Sequence, residues 1–294
     1  MTAMIVFVAL LLTFVGFRLI NDGSSLNDYT LIMYLLLGSF LSVAGYPLIY
    51  LFEKIFGLVS NSRLMELADP NSKPLRILAQ KAPGTFQHSL QVMNMADAVA
   101  RSVDANVLLV RAGAMYHDIG KTENPKCFIE NENIGSSYHD QLSPLESAEM
   151  IIRHVTDGLV LASKYNIPSV VSDFILTHHG TSTASFFYSK HLKEGGSPDM
   201  ESRFRYKGRL PESKEQTIVM ICDTVEAASR TLTDNSPQTF DKFVEGIVAS
   251  KINAGQLDRS EISLKELSQM KQVLKIYLSQ IYHDRVVYPD QQSV

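Results

Sequence analysis

Two things are scarce in this chain of 294 residues: cysteine and early charge. Cys127 and Cys222 are the only cysteines. They lie far apart, without the spacing of a thiolate zinc site or a disulfide framework, so both read as buried thiols in a reducing compartment. From Met1 to Phe52 the only charged side chains are Arg18, Asp22 and Asp28. No excess of positive charge exists either. A formal net charge of −4 excludes a general binder of duplex nucleic acid, which needs a basic face. Repeats, low-complexity tracts and runs of alternating strand pattern are all missing.

The early depletion of charge leaves two apolar runs. Ala3 to Ile20 would span ~27 Å as a helix, with Arg18 near its end placed to snorkel. Tyr29 to Phe52 would span ~36 Å, with tyrosines at 29, 34, 46 and 50. The connection "NDGSSLND" carries no positive charge, whereas Lys54 and Arg63 follow the second run. The positive-inside bias then leaves the large C-terminal portion in the cytoplasm. A cleaved signal peptide fits less well, because a basic start and a small-residue cleavage site are lacking. The expected organisation is a membrane anchor of two transmembrane helices at 1–53, a connector at 54–83 and a soluble domain at 84–294.

That domain reads as helical almost throughout. Phe86, Leu90 and Met93 recur at helical spacing, and "ANVLLVRAGAMYHD" reads as a buried helix. Ser143-Pro144-Leu145-Glu146 has the pattern of a capping box with proline at the first helical position. Further helices are expected over "PSVVSDFILTHHG", from Pro211 through Asp223, and over two C-terminal stretches. The fold class is all-α, a helical bundle.

Within these helices lie His88, His117, His154, His178 and His179, with Asp118 and Asp223. One such residue alone is unremarkable in a helix. Three of the segments, however, carry a glycine just past the histidine: Gly120 after His117-Asp118, Gly158 after His154, and Gly180 after His178-His179. Read as helix stops, these would gather imidazoles and a carboxylate at helix C-termini, whose free carbonyls and dipoles favour cations. The pattern points to a metal site in a helical bundle.

The order His88, His117-Asp118, His154, His178-His179, Asp223 resembles the HD-domain metal-dependent phosphohydrolases, in the branch with two metal ions. The stretches "SNSRLMELADPNS", "APGTFQHSLQV", "HDIGK", "LSPLESAEMIIRHVTDG", "THHGTS", "SKEQTIVMICDTVEAASRTL" and "HDRVVYP" are similar to the membrane-anchored seven-transmembrane HD proteins of the PgpH type. Those proteins hydrolyse cyclic di-AMP. The resemblance runs from about Tyr46 to Pro289, and it departs from the family in lacking the earlier spans and the extracytoplasmic domain.

The resemblance implies one metal on His88, His117, Asp118 and Asp223, and a second on Asp118, His154, His178 and His179, with Asp118 bridging. Four protein bonds to each ion would leave open positions for a reactive water and a phosphate oxygen. Nitrogen and oxygen donors without thiolate suit two divalent transition-metal ions, manganese or iron, better than structural zinc, magnesium or calcium. The implied reaction is in-line hydrolysis of cyclic di-AMP to the linear dinucleotide pApA, with Lys121 reaching a phosphate or the leaving oxygen. The long polar stretch Ala184 to Glu212 reads as a substrate lid. There Phe187 and Tyr188 would stack on adenine while Arg205, Lys207 and Arg209 meet the second phosphate.

His139-Asp140, His191 and His283 read as bystanders. Expected partners are the cyclic dinucleotide, the lipid bilayer of a bacterial inner membrane and, through the anchor, a second copy of the chain as a homodimer. Other readings stay open: an HD hydrolase of another cyclic dinucleotide or nucleotide, or a non-catalytic dinucleotide receptor. Against the cyclic di-GMP hydrolases stands "GTSTAS" where their Gly-Tyr-Pro signature would follow the histidine pair.

Overall fold

The computed structural model describes residues 2–21, 29–131 and 138–282. The chain divides into two compact units, Met1–Ser60 and Asn61–Val294.

The first unit is a pair of helices, α1 (Thr2–Asn21) and α2 (Tyr29–Phe56), packed on one another. Most of their large apolar side chains face outwards, Leu12, Phe17, Phe40 and Leu41 among them. The hydroxyls of Thr13, Ser39 and Ser42 donate to the carbonyl four residues earlier, so each is satisfied inside its own helix. Among the described residues no helix is long and apolar enough to cross a membrane.

The second unit is built on α5 (Pro83–Ser102), against which α4 (Lys73–Lys81), α6 (Val107–Tyr116), α10 (Lys214–Ser229) and α12 (Leu264–Ile281) pack. A short α3 (Asn61–Leu67) leans on α6. Around this centre lie α7 (Pro144–Lys164), α8 (Ser169–Thr177), α9 (Ser185–Lys193) and α11 (Pro237–Asn253). Among the described residues the sole β feature is an isolated bridge between Thr183 and Arg205. The bundle is therefore all-α, as its sequence pattern predicts.

Polar side chains set the helix starts. The Ser143 capping box opens α7, and Ser263 with Glu266 forms a second one at α12. Helix α10 begins after Ser213, whose hydroxyl caps Gln216, rather than at Pro211.

Two of the three expected helix stops are real. Helix α6 ends with His117 at its C-cap, and α8 ends with His178 at its C-cap, the chain turning through Gly180 at φ +56. Gly158 is different. It lies inside α7, which runs on to Lys164, and His154 is mid-helix. The two glycines exist for a close approach. A Cβ on Gly120 would fall 1.8 Å from the carbonyl oxygen of His154, and one on Gly158 would fall 2.8 Å from Ile175. The backbone after Asp118 thus rests on the backbone of α7, which brings His154 to Asp118.

The stretch from Ala184 to Glu212 is no structureless lid. It forms α9 and a 3-10 turn from Pro198 to Phe204. Phe187 and Phe204 bury themselves against Ala148 and Ile152 of α7.

Candidate metal centre

Five elements deliver seven side chains to one place. Helix α5 supplies His88, the end of α6 supplies His117 and Asp118, and α7 supplies His154. The end of α8 supplies His178 and His179, and α10 supplies Asp223. All are buried except His179, whose side chain is 25% exposed and forms the rim. Their donor atoms fall into two sets: His88, His117, Asp118 and Asp223, and Asp118, His154, His178 and His179. Within each set the atoms lie within 4.8 Å of one another.

Asp118 belongs to both sets, and its two oxygens divide between them. Oδ2 lies 3.3 Å from His117 Nε2 and 3.6 Å from His88 Nε2. Oδ1 lies 3.3 Å from His154 Nε2 and 3.5 Å from His178 Nε2. Asp223 Oδ1 stands 2.9 Å from His88 Nε2, while its Oδ2 stands 3.9 Å from His179 Nδ1.

The imidazoles are aimed by hydrogen bonds on their outer side. His117 Nδ1 donates to the Ala114 carbonyl at 2.6 Å, and His154 Nδ1 donates to Ile151 at 2.6 Å. His178 Nδ1 donates to Ile175 at 3.0 Å. A carbonyl only accepts, so Nδ1 keeps the proton and the neutral ring presents its Nε2 lone pair inwards. His88 is aimed by a carboxylate, its Nδ1 donating to Glu226, which also accepts from Arg230.

These inward lone pairs need a cation. The Nε2 atoms of His154 and His178 face each other at 3.1 Å. Two lone pairs at that distance repel unless something positive lies between or beside them. The buried Nε2 of His117 and Oδ1 of Asp118 have no hydrogen-bond partner among the described residues. Buried polar atoms left this way cost folding free energy. A donor set of imidazole and carboxylate, without thiolate, suits divalent transition metals.

The two sets differ in proton affinity. Burial opposes charging of His117, but Asp118 and Asp223 outweigh it and raise its pKa to about 10. Burial likewise opposes charge on His88, which the Asp223 and Glu226 carboxylates still hold above its ordinary value. His154 is pushed down to about 3 by burial, and His179 is lowered by the same cause. Burial would raise Asp118, yet Lys121 and His117 beside it hold its carboxyl well below the usual range.

Lys121 sits at the centre with its Nζ 2.8 Å from Asp118 Oδ2 and 2.9 Å from Glu130 Oε1, over the Phe128 ring. Its ammonium is thus engaged by two carboxylates. The sequence reading missed Glu130, Glu226 and Tyr206, whose ring lies 4.1 Å from that of His179. Glu226 was within reach, being three residues after Asp223 on one face of α10. Glu130 and Tyr206 come from irregular segments that carry no such spacing.

The other expected contacts scatter. Phe187 is buried in the core of the α9 segment and faces no open space, so stacking on a base is excluded for it; its exposed neighbour is Phe186. Tyr188 donates its hydroxyl to the Pro198 carbonyl, Arg205 pairs with Glu201, and Arg209 pairs with Asp173. Lys207 lines a groove beside Arg153 and Arg203. His139 donates Nε2 to the Cys127 carbonyl at 2.8 Å and stands in neither ligand set. His191 packs on Phe204. His283 and the "HDRVVYP" stretch lie outside the described residues.

This geometry agrees with what known proteins show. The HD domain family matches residues 85–228. Cyclic-di-AMP phosphodiesterase PgpH of Listeria monocytogenes is 40% identical over 275 residues, covering 92% of this chain and 38% of that protein. Its namesake from Bacillus subtilis is 42% identical over 239 residues, covering 81% of this chain and 34% of that protein. The chain therefore spans little more than a third of the length of the curated relatives it matches. The crystal structure of the L. monocytogenes phosphodiesterase PgpH HD domain in complex with cyclic-di-AMP superposes with a TM-score of 0.70 at 38% identity. It covers 73% of this chain and 100% of that one. With the family's histidines and aspartates gathered on the family's helices, this chain belongs to the HD-domain family.

Proposed function

We propose that the chain is a metal-dependent phosphodiesterase that opens cyclic di-AMP to linear pApA. The observation that carries this reading is Asp118, one carboxylate with an oxygen turned to each of two histidine sets. That is the arrangement two-metal phosphate chemistry requires, since each ion must sit close enough to act on the same phosphorus. Its support in substrate comes from the PgpH relatives and from the superposed HD domain, whose complex holds cyclic-di-AMP.

His88, His117, Asp118 and Asp223 hold one ion, and Asp118, His154, His178 and His179 the other; manganese or iron fits this donor set best. Bound there, the pair acidifies water and withdraws charge from the phosphate oxygens. The chain's own residues do the rest. Neutral imidazoles leave the site with net positive charge for a phosphodiester. Glu226 and the backbone carbonyls keep the rings aimed, and Lys121 fixes the bridging carboxylate and lends positive charge beside it. His179 at the rim, braced by Tyr206, faces the side from which substrate arrives.

The division into anchor, connector and catalytic domain belongs to the same proposal. Outward apolar side chains on α1 and α2 and the near absence of charge before Phe52 support seating in the bacterial cytoplasmic membrane, with the HD domain on the cytoplasmic side. Membrane fractionation with protease protection tests it; recovery in the soluble fraction without detergent would overturn the anchor.

The catalytic reading is tested by incubating the full chain in detergent with Mn2+ and either cyclic di-AMP or cyclic di-GMP, the products resolved by chromatography. Preferential formation of pApA is expected. Turnover of the guanine compound alone would transfer the proposal to another HD hydrolase, and metal uptake with no turnover of either would favour a receptor.

A further inference from the structure

Beside the metal centre lies a cleft of about 760 Å³ that the reaction as described does not use. Thr224, the residue after Asp223, is part of its floor, and Thr181 to Thr183, just after His179-Gly180, form one wall. The opposite wall is one face of α11: Phe243, Gly246, Ile247, Ser250 and Lys251, at helical spacing i, i+3, i+4, i+7 and i+8. The other face of α11 is committed to the core through Phe240, Val244 and Val248. Gln256 ties the two walls together, accepting from the Thr181 amide at 3.0 Å and donating to the Thr181 hydroxyl at 3.2 Å.

Three features of this cleft ask for a ligand. The first is its charge. Arg205, Lys242 and Lys251 line it, and not one acidic side chain does. Arg205 is already held by Glu201, and Lys242 is exposed. Lys251 is neither: it is largely buried, it pairs with no acidic side chain among the described residues, and Asp223 is near enough for its charge to be felt. A buried ammonium without a partner is expensive unless something anionic is to meet it. The second feature is Gly246. It lies mid-helix, where glycine is a poor choice, and a Cβ there would meet nothing within 4 Å. No protein contact explains the glycine, so its use is to leave the helix backbone bare. The third is the flanking pair, Phe243 and Ile247, half-buried and one turn apart beside that bare patch.

We propose that this cleft is the subsite for the half of the dinucleotide that is not being cleaved. Its adenine lies across Gly246 between Phe243 and Ile247, and its phosphate meets the Lys251 ammonium. The inference rests on the proposed function and sharpens it. A cyclic dinucleotide carries a second phosphate and a second base at a fixed distance from the scissile bond, and a mononucleotide or a simple diester carries neither. Lys251 and Gly246 are thus specificity-determining residues, set on a helix that supplies no candidate metal ligand.

Two variants test it in the Mn2+-loaded full chain, each assayed on cyclic di-AMP and on bis(p-nitrophenyl) phosphate. In Lys251→Gln the ratio of kcat/KM for the dinucleotide to that for the small diester is expected to fall by about 10-fold or more, the scale of a lost hydrogen bond to a charged group. In Gly246→Leu the KM for cyclic di-AMP is expected to rise by a similar factor while Tm holds or rises, because leucine improves the helix and nothing in the protein obstructs it. An unchanged ratio in the first variant, or an unchanged KM in the second, overturns the subsite. Wild-type turnover reports separately on the proposed reaction. Where the wild type does not turn cyclic di-AMP over, its calorimetric affinity beside that of Lys251→Gln decides: weaker binding by the variant sustains the subsite, and equal binding overturns it.

Discussion

The two halves of the metal centre share Asp118 yet are built on opposite electrostatic plans. The inner set has two histidines facing two aspartates, with Glu226 behind His88. The outer set has three histidines and Asp118 alone, and one of those histidines reaches the surface. Carboxylates around the inner set draw protons to it, whereas burial strips them from the outer one. The difference teaches that one protein can hold two ions on unequal terms: an inner ion embedded in negative charge, and an outer one bound by neutral nitrogens at the rim, where substrate must reach it.

The largest effect should come from removing what the halves share. Asp118→Ala is expected to cut metal content from about two ions per chain to below about one, and to lower turnover by about 10³-fold or more, as measured by elemental analysis and product formation. Retention of both ions would mean that the halves do not depend on the bridge. Next is Glu226→Gln, which leaves His88 in place and removes the charge behind it. A loss of about 10- to 100-fold in metal affinity is expected at the inner set alone, the usual cost of changing a partner of a ligand. Metal titration that shows the loss at the weaker site instead would reverse the assignment.

Protons give a finer test. His117, with its pKa raised to about 10, stays protonated through neutral pH in the metal-free chain, and a ligand needs its lone pair bare. Metal uptake at the inner set at pH 7 should therefore release protons, and affinity should climb with pH until about 10. His154, lowered to about 3, is neutral over the whole range, so the outer set should take its ion with little release. Calorimetry in buffers of different ionisation heat separates the two events; equal release at both would erase the contrast. Smallest of all, His139→Ala should leave metal content within about 0.2 ions of wild type, since this histidine belongs to neither half.

How much of this was readable beforehand depended on whether a residue's role shows in its spacing. All seven candidate ligands were picked out by type and order, and the structure brings them together. The C-terminal ends of α6 and α8 were legible because His117-Asp118 and His178-His179 sit just before glycines at real stops. Gly158 misled because a glycine after a histidine looks the same whether it ends a helix or lets one pass. Leu159, Val160, Leu161 and Ala162 beyond it continue the helix, and that continuation was the better signal. Phe187 misled for another reason. It and Phe186 are adjacent on α9, so one must turn in and one out, and only packing against Ala148 and Ile152 decides which. Glu130 was out of reach, because the turn that carries it meets Lys121 only through tertiary contact.

Three of the five histidines are aimed by carbonyls of their own helices, three or four residues back. Every amino acid supplies a carbonyl, so this alignment asks nothing of the side chains at Ala114, Ile151, Phe174 or Ile175. Those positions are free to answer to packing alone. The ring that performs the chemistry and the walls that choose the substrate can then change independently. A lineage could trade one nucleotide for another by altering a helix such as α11 without ever passing through a form that has lost its metals.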